Sequence, residues 1–271
     1  GMLCRNTIEE QFKGSFNTKY AVTGEDDLDA FEYYLDAAME SDFAYITAFV
    51  QGLVNKIGGR AALSIQWAMQ PYELLTFPNT VDTVMLSMDC PVRFKKLMDK
   101  VVVLDEKLLS AVAKGGADFV FLGAPGVEML SPYHYDNFIV PYSQVVTSMA
   151  HSQGLMIYSH ICSPIEPFLT KGYYNKMGID LFETLSSAPV GNIISLEDAL
   201  GKIDDGICTR GNLGLDVLVN SNPDEIKEEV YKIMDAAKGR KHMVAASDYL
   251  FYQVPEENVH AMCEAVREAV K

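Results

Sequence analysis

A histidine and a cysteine stand two residues apart at the end of an apolar run that predicts a strand. The run is Leu155 to Pro164, LMIYSHICSP, and it contains His160 and Cys162. Because side chains alternate between the two faces of a strand, these two side chains share one face. Zinc favours imidazole nitrogen and thiolate sulfur as ligands. The pair therefore predicts half of a metal site; the alternative interpretation of each residue is core packing.

Other polar residues also fall late in predicted strands, or just after them. Glu183 lies in IDLFETL and Asn212 in ICTRGNL, and Asp248 ends HMVAASD. Gln66 and Trp67 end AALSIQW, where they could line the mouth of a pocket. Each has a structural alternative: a salt bridge for Glu183, a turn at Asn212, a helix cap at Asp248, and a loop cap and a core side chain for Gln66 and Trp67.

Strands alternate with helices along most of the chain, which implies right-handed βαβ units and a parallel sheet. The patterns predict strands at 61–67, 117–123, 155–164, 179–185, 207–213 and 242–248. They predict helices at about 24–39, 43–57, 70–78, 81–89, 92–115, 131–153, 164–172, from 195, 222–237 and from 255. The expected fold class is α/β, a (β/α)8 TIM-type barrel that is irregular or truncated at its N-terminal end. We expect one domain, residues 2–271.

Composition limits the classes of function. The chain has 271 residues, 49% of them hydrophobic, and a formal net charge of −15. Such acidity argues against a nucleic-acid partner, because phosphate binding needs a basic surface. No apolar run is long enough to cross a membrane, and we expect no membrane association. Five scattered cysteines do not suggest a disulfide framework, so we expect a cytoplasmic, reducing location. Gly1 before Met2 reads as a residue left by tag removal, without a signal-peptide pattern.

Six segments, taken in order, resemble the uroporphyrinogen decarboxylase superfamily. They are GADFVFLG, LSPYHYDNFIVPY, SHIC, GIDLFETL, RGNLG and VPEENV. That superfamily includes corrinoid-linked methyltransferases and is related to cobalamin-independent methionine synthase. The resemblance implies a barrel with its active site at the carboxyl ends of the strands, in agreement with the general rule for barrels.

The site is most similar to that of the methyltransferase branch, in which zinc is held by His-x-Cys and a later thiolate. His160 and Cys162 match the pair, and Asp248 stands where the later cysteine is expected. Glu183 lies where methionine synthase relatives supply a glutamate ligand. The resemblance therefore implies a zinc-dependent methyltransferase with His160 and Cys162 as catalytic residues. It also implies a small-molecule thiol or methyl donor as substrate, and a corrinoid carried on a partner protein.

The helix that begins at Ser131-Pro132 carries Tyr133, His134 and Tyr135 in its first turn. We expect the mouth of the corrinoid-binding pocket to be lined by these three residues together with Gln66, Trp67 and Asn212. A homodimer is left open.

Two alternatives remain. The first is decarboxylation of a porphyrinogen, for which relatives use an arginine-rich N-terminal segment. MLCRNTIEEQF offers Arg5 alone, and the histidine expected near AASDYLFYQVP is missing. Since clustered arginines suit a substrate with several carboxylates, this reading is disfavoured unless Arg60 or Arg210 compensates. The second is a non-catalytic homologue that binds a corrinoid or a metabolite.

Overall fold

The protein is described by a computed structural model that covers residues 5–9, 14–66, 70–123, 129–250 and 253–270. Its residues divide into two compact units, Gly1–Met156 and Ile157–Lys271. The expected single domain stays a prediction.

The first unit is mainly helical and contains two short pairs of strands. Its strands are β1 (Arg5–Glu9), β2 (Gly14–Lys19), β3 (Ser64–Ile65) and β4 (Phe119–Gly123). Its helices are α1 (Leu28–Met39), α2 (Ala44–Ile57), α3 (Thr80–Asp89), α4 (Pro91–Gly115), α5 (Pro132–His134) and α6 (Val140–Ser152). β3 and β4 pair in parallel, whereas β1 and β2 form an antiparallel pair.

The N-terminal region differs from the sequence expectation. Residues before 24 gave only weak strand candidates, yet they hold the antiparallel pair β1 and β2. The Thr23 N–H and hydroxyl both donate to the side chain of Asp27, at 2.9 and 3.0 Å. A 3-10 turn, Glu25–Asp27, precedes α1. The predicted strand 61–67 is reduced to β3 in the described residues.

The predicted helix 131–153 is interrupted by a wider turn. α5 is followed by a π-helical turn, Tyr135–Ile139, in which the Val140 N–H donates to the carbonyl of Tyr135, five residues back. Pro141 comes next and has no N–H, so one α-helical hydrogen bond is missing at this point. α6 then continues as expected.

The second unit alternates strands and helices regularly. β5 (Met156–His160), whose first residue belongs to the first unit, is followed by β6 (Leu181–Thr184), β7 (Cys208–Leu213) and β8 (His242–Ala246). The helices are α7 (Glu166–Thr170), α8 (Leu196–Gly201), α9 (Leu215–Asn220), α10 (Pro223–Ala236) and α11 (Glu256–Ala269). The strands pair in parallel in chain order, β5 with β6, β6 with β7 and β7 with β8.

Local signals place the helices of this unit. Ser195 accepts a hydrogen bond from the Asp198 N–H at the start of α8, as predicted. Asn222 and Glu225 form a capping box at the start of α10, where proline occupies the first turn. An apolar cluster joins the end of β7 to α9, α10 and α11; its buried members are Leu213, Leu218, Ile226, Val230, Ile233, Ala261 and Ala265. This packing supports β7 and β8 from the helical side.

The α/β class, with parallel strands and flanking helices, is therefore confirmed. All six strands predicted from residue 61 onward are present. The closed eight-stranded barrel stays a prediction, because β1 and β2 pair with each other in antiparallel fashion. Among the helices that the structure describes, none has both the length and the apolar character needed to cross a membrane.

Candidate metal centre

Three side chains from two strand ends converge in the second unit. His160 is the last residue of β5, Cys162 follows it by two residues, and Asp248 follows β8 by two residues. One donor atom from each lies within 4.8 Å of the others. A nitrogen, a sulfur and an oxygen donor are thus brought together, all from residues that the sequence singled out. We refer to His160, Cys162 and Asp248 as the donor group.

The imidazole of His160 is held by its neighbour on the next strand. Nδ1 of His160 lies 2.9 Å from Oε1 of Glu183, at hydrogen-bond distance. Nε2 is buried and has no hydrogen-bond partner among the described residues, and it lies 3.7 Å from Oδ1 of Asp248, within ion-pair distance. A hydrogen on Nδ1 would leave the Nε2 lone pair free for a ligand, so the geometry suits metal binding through Nε2.

Glu183 lies beside the donor group and is not one of its members. The register of the sheet places His160 opposite Glu183, and Glu183 opposite Arg210. Oε2 of Glu183 accepts a hydrogen bond from Arg210 at 2.6 Å, so both carboxylate oxygens are engaged. In this arrangement the carboxylate oxygens face His160 Nδ1 and the guanidinium, and the interpretation of Glu183 as a direct ligand stays a prediction.

Neighbouring side chains set the charges of His160 and Glu183. Burial acts to lower the pKa of His160, but the Cys162 and Glu183 side chains outweigh it and raise the pKa to about 9, so a metal that binds Nε2 would have to displace a proton. Burial acts to raise the pKa of Glu183, but His160 and Arg210 outweigh it and lower the pKa. Glu183 is therefore an ionised carboxylate even though its side chain is only 9% exposed.

A cavity of about 490 Å³ opens at these side chains. His160, Glu183 and Asp248 supply its polar part, together with Arg210. The rest of the wall is largely apolar and includes Met243, Val244, Ala245, Ala246, Tyr249, Leu250 and Met262. A polar corner in an otherwise apolar cleft is the usual form of a small-molecule site.

Sequence reasoning missed two features of this cavity. Tyr249 lies over the site, with its ring centroid 5.8 Å from that of His160. Its position directly after Asp248 is the signal that could have identified it. Met243 completes the row of His160, Glu183 and Arg210 across the four strands, but only the register of the sheet reveals this.

The residues predicted to bind a cofactor differ in burial and in the unit to which they belong. Trp67 lies outside the described residues, and Gln66 is exposed in the first unit. Tyr133, also in the first unit, is 47% exposed, but His134 and Tyr135 are buried. Nδ1 of His134 accepts the Ser131 N–H at 3.2 Å, so this side chain caps α5.

Asn212 belongs to the second unit. Its side-chain amide donates to the carbonyl of Leu185 at 3.1 Å. The alternative of a structural role, in which Asn212 shapes the backbone, agrees with this contact.

The donor group fits a zinc ion by its chemistry. Histidine, cysteine and carboxylate are all zinc ligands, and catalytic zinc sites use three protein ligands and leave one position open. Nε2 of His160 is a buried nitrogen without a hydrogen-bond partner in the described part of the chain, and a bound cation would satisfy it. Glu183 supplies the carboxylate that commonly accepts the second N–H of a metal-binding histidine.

A family model and curated relatives agree on the family that this chain resembles. The family model described as Uroporphyrinogen decarboxylase (URO-D) matches residues 11–269. A uroporphyrinogen decarboxylase of Geotalea daltonii is 25% identical over 240 residues, which cover 84% of this chain and 66% of that protein. One from Prochlorococcus marinus is 23% identical over 243 residues, covering 86% and 66%. The chain thus spans about 66% of the length of these relatives.

Solved structures show the same fold at low sequence identity. A methyltransferase from Methanosarcina mazei matches with a TM-score of 0.75 and 17% identity, covering all of this chain (100%) and 77% of that one. A B12-independent methionine synthase from Shewanella sp. W3-18-1 matches with a TM-score of 0.55 and 11% identity, covering 99% and 75%. At these low identities, the two matches show similarity of fold alone.

Proposed function

The chain belongs to the uroporphyrinogen decarboxylase (URO-D) family, and from this premise we propose that it is a zinc-dependent methyltransferase that moves a methyl group between a corrinoid, or a similar donor, and a thiol. The observation that carries the proposal is the donor group, in which Nε2 of His160 has no hydrogen-bond partner among the described residues. The M. mazei methyltransferase of the same fold supports the choice of reaction.

Each residue has a defined task in this proposal. His160, Cys162 and Asp248 would hold the metal, and Glu183 would orient the imidazole through Nδ1. When bound, zinc would stabilise the thiolate form of a substrate thiol near neutral pH. Tyr249, Met243 and Met262 would enclose the body of the thiol and keep water away from the reacting sulfur.

The partners are proposed on the same basis. A small-molecule thiol fits a cavity of about 490 Å³, whereas a corrinoid is much larger and would approach from outside on its own carrier protein. The assignment of the exposed Gln66 and Tyr133 as cofactor-binding residues stays a prediction. Cytoplasmic location and a homodimer stay predictions.

Decarboxylation of a porphyrinogen is the second candidate, favoured by the curated relatives named uroporphyrinogen decarboxylase. The lining of the cavity opposes it. Glu183 and Asp248 line the cavity, and Arg210, the one arginine or lysine among its described lining residues, is already paired with Glu183. A substrate with several carboxylates would meet two carboxylates and no unpaired guanidinium or ammonium group there, which disfavours its binding.

The test measures both reactions in parallel. Protein loaded with zinc is mixed with a methylated corrinoid and a panel of thiols, and loss of the methyl group is followed by absorbance; a second arm measures CO2 release from uroporphyrinogen. Methyl transfer that is lost in Cys162→Ala, but kept in Cys208→Ala on β7, is the expected result. CO2 release that persists in Cys162→Ala would support the decarboxylase instead. Binding of the corrinoid without turnover in either arm would support a non-catalytic homologue.

A further inference from the structure

Asp248 lies beyond the last strand of the sheet and needs support from elsewhere. β8 ends at Ala246, two residues before Asp248, so the pairing of β7 with β8 stops short of it. Its side chain is 20% exposed, and Oδ1 accepts the N–H of Tyr249 at 2.7 Å. A carboxylate in such a place serves a metal only if the backbone that carries it is fixed, because a working site tolerates displacements of about 0.5 Å.

The residue before Asp248 is held through both of its backbone polar groups. The N–H of Ser247 donates to the carbonyl of Leu213, at the end of β7, at 2.8 Å. The carbonyl of Ser247 accepts a hydrogen bond from the hydroxyl of Ser186 at 3.1 Å. That carbonyl belongs to the planar peptide group that joins Ser247 to Asp248. The hydroxyl of Ser186 therefore restrains the peptide plane from which Asp248 begins.

Ser186 is itself firmly held, just after β6. Ser186 and Ser247 are buried, with exposed fractions of 1% and 2%. A hydroxyl has one hydrogen to donate, so Ser186, which donates to Ser247, accepts from the hydroxyl of the buried Thr184. The carbonyl of Ser186 accepts the N–H of Ile193 at 3.1 Å. The support for Ser247 thus comes from a buried and hydrogen-bonded side chain.

We propose that Ser186 is a positioning residue whose hydroxyl holds the peptide group between Ser247 and Asp248, so that the Asp248 carboxylate stays beside Nε2 of His160 and can ligate the metal. This inference rests on the proposed zinc site and on Asp248 as one of its ligands. Ser186 acts through the backbone of Ser247 and supplies no ligand of its own. Residues behind a ligand act in this way on the affinity for the metal.

A structural role of Ser186 is the alternative account. A buried hydroxyl that donates to a carbonyl also stabilises the folded chain, whether or not a metal is bound. A double-mutant cycle separates the two accounts, because it measures whether the effect of Ser186 on metal binding depends on Asp248. Thr209 of β7 offers a matched control: its side chain is also buried, and its hydroxyl lies 3.3 Å from the carbonyl oxygen of Lys241.

The experiment titrates each variant with cobalt(II), which replaces zinc and gives visible and near-ultraviolet bands when a thiolate binds it. The variants are Ser186→Ala, Asp248→Ala, the double variant Ser186→Ala/Asp248→Ala, and Thr209→Val as control. Ser186→Ala is expected to bind cobalt about tenfold more weakly than wild type, the lower end of the range for residues behind metal ligands. In the Asp248→Ala background the same change is expected to alter the affinity by less than about twofold, since the ligand that Ser186 positions is already gone. Thr209→Val is expected to stay within about twofold of wild type.

Three results overturn the inference. They are equal cobalt affinity in wild type and Ser186→Ala, a loss that Ser186→Ala causes equally in both backgrounds, and an equal loss in Thr209→Val. If Ser186→Ala fails to fold by circular dichroism, Ser186→Cys takes its place throughout the cycle, because a thiol is a much weaker donor of similar shape. Wild-type protein that binds no cobalt would refute the metal site itself, and this inference with it.

Discussion

Nδ1 of His160 lies 2.9 Å from Oε1 of Glu183, because the parallel register of β5 and β6 places these two residues opposite each other. The glutamate therefore meets the side of the imidazole that faces away from Asp248, whose Oδ1 is 3.7 Å from Nε2. In the proposed metal centre, Glu183 would therefore orient His160 from the side opposite to the metal.

Glu183→Gln is expected to keep the metal and to bind it about tenfold more weakly, the lower end of the range for residues behind metal ligands. The amide oxygen can still accept the Nδ1–H, but without a full charge. Competition with a coloured chelator measures the affinity, and Glu197→Gln, at the start of α8, is the control. If Glu183→Gln loses zinc as completely as His160→Ala, Glu183 is a direct ligand and its assignment behind His160 is wrong.

The proposed role of Asp248 as a ligand can be tested by one variant that removes its donor atom and by another that supplies a thiolate. Asp248→Ala removes one of three donors and is expected to weaken zinc binding at least about tenfold, whereas Asp248→Cys restores a thiolate-rich set and is expected to tighten it. The exposed Asp204 supplies the control variant Asp204→Ala. Equal zinc affinity in wild type, Asp248→Ala and Asp248→Cys would remove Asp248 from the site.

Asp105 of α4 predicts a pH dependence of stability away from the site. It is fully buried, neither oxygen has a hydrogen-bond partner among the residues that the structure describes, and desolvation raises its pKa well above the ordinary value of 3.8. The folded state therefore keeps a proton that the unfolded state releases. The stabilisation is complete below about pH 3.9 and is lost as pH rises toward the folded pKa, by about 1.4 kcal/mol per unit.

Asp105→Asn is accordingly expected to be more stable than wild type at pH 7, and the difference between the two should shrink as pH falls toward 4. Urea unfolding between pH 4 and 8 measures it, with the exposed neighbour Glu106→Gln as control. Parallel stability profiles for wild type and Asp105→Asn would contradict the buried, protonated carboxyl.

Gly211 of β7 is expected to tolerate no side chain. Its φ of 138° is in the region that favours glycine, and an added Cβ would lie 2.1 Å from the carbonyl oxygen of Thr184 on β6. Gly211→Ala should lower the free energy of unfolding by more than about 2 kcal/mol and disturb the adjacent Arg210. Gly206→Ala, where no atom lies within 4 Å of the added carbon, is the matched control. Equal melting temperatures for the two variants would contradict the close approach of β6 and β7.

The parts of this fold that local sequence determines were predictable. Caps such as Ser195 and Asn222, and the left-handed Gly58 after α2, mark helix ends through contacts with near neighbours. The apolar runs of β5 to β8 predicted buried parallel strands for a similar reason. His160 and Cys162 were singled out because a histidine and a cysteine two residues apart at a strand end predict a metal site, and that site stays a prediction.

Register could not be read from the sequence, since it depends on how separate strands pair. It sets Arg210 against Glu183, and Glu183 against His160, so that the carboxylate lies between the guanidinium and the imidazole. The role of His134 at the start of α5 could not be read from the sequence either. Its type and position suggested a cofactor contact, but the chain buries it as a cap for Ser131.

The most direct test is the zinc content of protein purified without chelator, supplied with zinc and desalted, measured by mass spectrometry. Wild type and Cys208→Ala should hold about one zinc per chain, and His160→Ala and Cys162→Ala should hold almost none, because each loses a ligand that the remaining donors cannot replace. Wild-type protein that retains no zinc, or variants that retain as much as wild type, would contradict the metal centre.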